Sequence, residues 1–196
     1  TAAATPTLAA GAAHDITLND AGNVFGTVGM TNGNNVTLQD STALNLAAST
    51  VSGALNVTAN GAITDSGNLV VAGTTTLAAG AANNITLNNA NNFSTVSITS
   101  GNNVTLVDSN AIDLGASTIS GTLGITSAGA ITQSGALNVA GTTTLAAGAA
   151  NNITLNNAGN IFSTVGITTG NNVTLQDSVA LNLAGSTISG TVGITR

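Results

Sequence analysis

The chain has no cysteine, lysine, glutamate, tryptophan or tyrosine, and its one arginine is the last of 196 residues. Without cysteine there are no disulfides and no thiolate metal sites, a pattern allowed both in secreted repeat proteins and in the cytosol. Without a basic patch there is nothing to neutralise phosphates, which excludes nucleic-acid binding and a polybasic membrane-surface site. No apolar run approaches the ~20 residues of a membrane-spanning helix, so membrane insertion is not expected. The opening TAAATPTL lies inside a repeat and has none of the parts of a signal peptide. Charged residues make up 4% of the chain, and a globular enzyme of this length would rarely lack lysine, glutamate and both large polar aromatics together. What apolar content there is, 42%, is alanine, valine, isoleucine and leucine with three phenylalanines and one methionine, enough for a thin aliphatic core and too much for a disordered polymer.

What is present is repetition. Val71 to Ala90, VAGTTTLAAGAANNITLNNA, returns unchanged as Val139 to Ala158. Phe25, Phe93 and Phe162 mark one beat, and GNNV recurs at Gly33, Gly101 and Gly170. With the repeated leucine as origin, units start at Leu8, Leu77 and Leu145, the third ending incomplete at Arg196. A long, faithful period describes a quasi-one-dimensional array whose units pack mainly on their neighbours. The reading is one β-solenoid segment over residues 1–196, an internal slice of a longer array. The one-residue slip between NDAGNVF or NNAGNIF and NNANNF marks that stretch as a turn.

Within each unit, small polar residues precede an aliphatic-Thr-aliphatic triplet, as in NNITL at Asn83 to Leu87 and NNVTL at Asn102 to Leu106. Such alternation reads as short strands, punctuated by Gly and Asn at the turns. No sustained helical stripe exists, and LAAGAANN is defeated as a helix by its glycine and its asparagine pair. Short strands without hairpin signals predict an all-β, right-handed parallel β-helix. At roughly 20 residues per coil, the chain holds about nine coils and each 68–69-residue unit about three. Alternation places Ile85 and Leu87 inward and Thr86 outward, with equivalents Ile16 and Leu18, then Ile153 and Leu155. The phenylalanines are expected to fill a wider part of the tube, and the pairs Asn83/Asn84 and Asn151/Asn152 to stack into ladders with Asn of adjacent coils.

GNNVTLVDSNAIDLGASTISGTLGITSAGAITQSGALNVAGTTTLAAGA, from Gly101, resembles the repeats of filamentous-haemagglutinin-like exoproteins of Gram-negative bacteria. The resemblance covers the whole chain and lies in repeat grammar rather than in a catalytic signature. It implies a β-helical repeat region of an adhesin or biofilm-matrix protein at the cell surface or outside the cell. It also implies export as an autotransporter passenger or by an outer-membrane secretion partner (two-partner secretion). The secretion-recognition domain of such exoproteins has no counterpart in these residues.

Candidate sites read as structural. Asp40, Asp108 and Asp177 share one repeat position and are expected to be solvated turn residues about 14 Å apart, too far to share an ion. Calcium takes about six to eight oxygens, and the glycine-aspartate nonapeptide of calcium-binding β-rolls is missing. His14 and Asp15 replace the asparagines at positions 83–84 and 151–152 and read as substituted turn residues, since nothing beside them completes a hydrolase triad. Asn35-Val36-Thr37, Asn84-Ile85-Thr86 and Asn103-Val104-Thr105 fit the sugar-acceptor pattern, but a turn Asn before aliphatic-Thr produces that pattern by itself. The rows Thr74 to Thr76 and Thr142 to Thr144 occur once per unit, too sparse for an ice-binding face, and no exposed aromatic platform offers sugar stacking. No catalytic, cofactor-binding or metal residues are assigned, no cofactor is expected, and no enzyme is read. A mechanical role remains: a rod or stalk segment of a secreted adhesin-like exoprotein. The alternative is a self-associating extracellular fibre or biofilm-matrix filament whose repeats stack end to end or join side by side. The expected partners are the neighbouring repeats and further copies of the chain, with any host or neighbouring-cell surface reached only through other parts of the parent protein. The absence of lysine and internal arginine also leaves no site for trypsin-like proteases.

Overall fold

The alternation of β-branched and small polar residues folds as expected. A computed structural model describes residues 5–196, and its regular elements are all β-strands, running from Thr7–Gly11 to Val192–Thr195. Every strand pairing is parallel, so the chain coils upon itself as a parallel β-solenoid of about nine coils.

Two stacks of strands form the sides of the coil. One passes through Ile16, Val36, Leu55, Thr75, Val96 and Leu114, each paired with the next, and continues through Ile112, Ile131, Ile153, Val173 and Val192. The other passes through Leu44, Ile63, Ile85, Val104, Leu123, Thr143, Val165 and Leu183. One coil therefore takes about 18 to 23 residues, as between Thr95 and Asp113 or between Val139 and Phe162.

The repeat and the coil are out of step. Val36, Val104 and Val173 hold the same place in successive GNNV motifs. Yet Val36 and Val173 lie in the first stack and Val104 in the second. A unit thus spans three and a half coils, half a coil more than the three expected, and two units (137 residues, from 36 to 173) make seven. Equivalent residues of consecutive units face opposite sides of the rod.

The core is one continuous column. Ile85, Leu87, Ile153 and Leu155 are fully buried, whereas Ile16 and Leu18 in the first coil are half-buried. Phe93 and Phe162 are the largest buried side chains, and Phe25 packs half-buried against the same column. Parallel strands with an enclosed inner face favour such aliphatic runs. The LAAG segment turns instead of forming a helix because Gly80 and Gly148 adopt positive φ, 87° and 84°, which side chains avoid. The turn closes when the Asn83 N–H donates to Gly80 O at 3.0 Å, and that of Asn151 to Gly148 O at 3.1 Å.

Candidate functional site

The three repeated aspartates are not solvated turn residues: Asp40, Asp108 and Asp177 are buried, at 1%, 2% and 0% exposure. Nor do they form one line, because Asp40 and Asp177 belong to one side of the rod and Asp108 to the other. Each carboxylate reaches back fifteen residues to a phenylalanine. Phe25 N–H donates to Asp40 Oδ2 at 2.8 Å, Phe93 N–H to Asp108 Oδ2 at 2.8 Å, and Phe162 N–H to Asp177 Oδ1 at 3.3 Å. A second backbone N–H, two residues on, completes the clamp: Thr42 to Asp40 Oδ1 at 2.7 Å, and Asn110 to Asp108 Oδ1 at 2.8 Å. The coil turns sharply here, and the carboxylate takes up N–H groups that the strand ladder leaves without a carbonyl.

Surroundings separate the equivalents. Burial pushes the Asp40 carboxyl up, but the N–H of Phe25, the hydroxyl and N–H of Thr42 and the N–H of Gly26 outweigh it and hold the group below the ordinary carboxylate range. Asn110 stands where Thr42 does and brings no hydroxyl. At Asp108 burial dominates the two N–H bonds, and the group is pushed up. At Asp177 one oxygen, Oδ1, takes both Phe162 and Val179 N–H, and Oδ2 is buried without a partner.

Beside the second and third clamps lies a buried residue that the sequence pattern does not single out. Asn91 and Asn160, two residues before the phenylalanine, are fully buried. Asn91 accepts from Leu69 N–H at 2.8 Å and donates to Asp65 at 2.8 Å. Asn160 accepts from Leu137 N–H at 2.9 Å and exchanges two hydrogen bonds with Gln133, the residue equivalent to Asp65. The available signal was Asn at the same distance before all three phenylalanines, at 23, 91 and 160. It was hidden among the other asparagines of a turn-like stretch.

The asparagine ladders exist at one member of each expected pair. Asn84 Oδ1 accepts from Asn103 N–H and Nδ2 at 3.2 Å, and Asn103 Oδ1 from Thr122 N–H at 3.1 Å. Asn152 and Asn172 repeat the arrangement. Asn83 and Asn151 instead close their own turns, donating to Ala79 O at 2.8 Å and Ala147 O at 2.7 Å. In the first unit the ladder starts at Asp15. Its Oδ1 takes Asn35 N–H at 3.0 Å, Asn34 Nδ2 at 3.0 Å and Asn35 Nδ2 at 3.1 Å, and the Asn35 N–H above all holds the carboxyl below its ordinary range. His14 sits at the exposed bend beside it. The asparagines of the sugar-acceptor triplets, Asn35, Asn84 and Asn103, are rungs of these ladders.

The threonine rows divide. Thr74 and Thr142 face solvent, while Thr75 and Thr143 are buried with hydroxyls that find no partner. Their register puts the middle residue into the core, where shape rather than polarity is served. Among the described residues no cavity opens into the rod, and no three His, Cys, Asp or Glu side chains gather as for a metal ion. No helix among them is long and apolar enough to cross a membrane. Apart from the Thr75 and Thr143 hydroxyls and Asp177 Oδ2, the buried side-chain polar groups described above are used in holding one coil to the next.

No curated protein and no solved structure matches the chain. A family model described as repeats of unknown function (DUF5649) matches residues 33–100 and 101–169, consecutive units in a phase that opens at the GNNV turn. These matches cover well over half of the chain, which belongs to the DUF5649 repeat family.

Proposed function

We propose that this solenoid is a non-catalytic rod, a stalk segment of a secreted adhesin-like exoprotein at the surface of a Gram-negative bacterium. The supporting observation is the use of its polar interior. Asp40, Asp108, Asn91 and Asn160 all bond to backbone or side chains of neighbouring coils, so chemistry-bearing groups fasten the array instead of meeting a substrate. A repeat β-solenoid fits a structural role on the same grounds. The adhesin context and the outer-membrane secretion partner rest on the resemblance of the repeats. In this reading, contact with a host or neighbouring cell belongs to other parts of the parent protein.

The test is electron microscopy of the intact natural protein together with in-frame removal of repeats. At about 4.8 Å per coil, each unit contributes about 17 Å of length. The stalk reading expects a rod that shortens by that amount per deleted unit, ends in a distinct globule and leaves attachment to the target cell intact. Loss of attachment on deleting units far from the globule would assign binding to the repeats and overturn the stalk.

A further inference from the structure

The half-coil offset between repeat and coil has a consequence for association. Whatever chemistry one unit presents on one side, the next unit presents on the other, about 17 Å further along the axis. The outward strips bear this out: Thr37, Asn56 and Thr76 are stacked on one side, and Thr86, Thr105 and Thr144 line the other. Both strips are built from short, uncharged residues in regular register, hydrogen-bonding except at Gly124, which stands between Thr105 and Thr144 where the first strip has Asn56. Solenoids and sheets are commonly kept apart by charge, lysine above all, and this chain has no lysine. Of its seven aspartates three are buried. Beyond the first coil each side keeps one partly exposed carboxylate. Asp113 is bonded by Thr132 and Thr95 hydroxyls at 3.1 and 3.3 Å, and Asp65 by Asn88 and Asn89 N–H at 3.0 and 3.2 Å.

We infer that a second copy of this chain docks along either side, so that rods associate laterally into flat rafts. The area suffices. A side about nine coils long and about 16 Å wide presents about 700 Å² per partner, or about 1,400 Å² in total, within the range of stable interfaces. Because the two sides carry like chemistry related by a half-coil shift, docking on one leaves the other free. The contact does not close into a dimer. The inference takes only its geometry from the rod reading and is indifferent to the stalk context.

The experiment is sedimentation velocity of the full 196-residue chain over a concentration series at low and high salt, with two substitutions at equivalent exposed positions. Thr58→Lys alters one side and Thr126→Lys the other. The wild type is expected to form species larger than dimers, more so at high salt, where repulsion between negative rods is screened. Each single variant stops at dimers joined through the unaltered side. The double variant sediments as the 18.7 kDa chain. A wild type monomeric at every concentration and salt overturns the proposal, and so does a single variant that still assembles beyond dimers or a double variant that assembles at all. The wild-type series decides by itself should a lysine variant fail to fold. Small-angle scattering on the same samples separates the two readings: elongated monomers refute the docking alone, and compact globules refute the rod beneath it.

Discussion

At the scale of single residues, the interior holds groups that its own packing does not satisfy. The hydroxyls of Thr75 and Thr143 are buried without partners, and a buried unpaired polar group costs about 1–3 kcal/mol. Valine has nearly the same shape, so Thr75→Val and Thr143→Val are expected each to raise stability by about 1 kcal/mol, read as the urea midpoint. The buried aspartates give a contrast in pH dependence. Asp108 is pushed up, so its contribution is present below the ordinary carboxylate range and is lost as pH rises through the raised value. Asp40 is held down, so its contribution is present above the ordinary range and is lost as pH falls through the lowered value. Each Asn replacement removes one acceptor from a pair of backbone N–H groups, at a cost of about 1–3 kcal/mol. The cost of Asp108→Asn should shrink between about pH 3 and pH 7, and that of Asp40→Asn should grow over the same span. Parallel pH profiles for the two variants would refute the assignment.

At the scale of the element, the corners are where coils touch most closely. A Cβ on Gly121 would sit 2.5 Å from both Asn102 Oδ1 and Asn103 Oδ1, the second of them a rung of a ladder. A Cβ on Gly124, three residues on and facing outward in the strand Leu123–Ser127, meets nothing nearer than 3.8 Å. Gly121→Ala should therefore lower stability by about 1–3 kcal/mol, since overpacking there means breaking the ladder. Gly124→Ala should be neutral or stabilising by about 0.5 kcal/mol, because glycine weakens a strand interior. Thermal unfolding of the two variants checks the pair. The contrast separates glycines kept for close approach from those that merely occupy a strand, a distinction invisible in a sequence where both follow a Ser or Leu in a run of small residues.

At the scale of the whole molecule, the half-coil offset makes repeats interchangeable only in pairs with respect to direction. Removing one unit deletes three and a half coils and turns everything downstream by half a turn about the axis. Removing two deletes seven coils and restores the original facing. In a chain carrying a spin label on each side of the deletion, both on the same face, the single deletion should move the labels to opposite faces, and the double deletion should return them to one. Pulsed electron paramagnetic resonance distances read this directly. A unit spanning a whole number of coils would leave the labels on one face in both cases.

Much was legible in the chain itself. Alternation of β-branched and small polar residues, Gly and Asn punctuation, and a period near 68 residues are local properties. They suffice for short parallel strands, an aliphatic core with Ile85 and Leu87 inward, and a coil of about twenty residues. The inward phenylalanines and the Asn84 and Asn152 ladders follow from the same alternation. Burial of Asp40, Asp108 and Asp177 was not legible, because a carboxylate after TLQ or TLV looks like any turn residue until the coil brings Phe25, Phe93 or Phe162 N–H to it from fifteen positions back. Asn91 and Asn160 were hidden in the same way among asparagines that do face water. The half-coil offset belongs to the tertiary structure alone. The period is written in the sequence, but the length of a coil is set by how far corners such as Gly121 and Gly135 let one turn close upon the last, and only that closure decides which side each repeat faces.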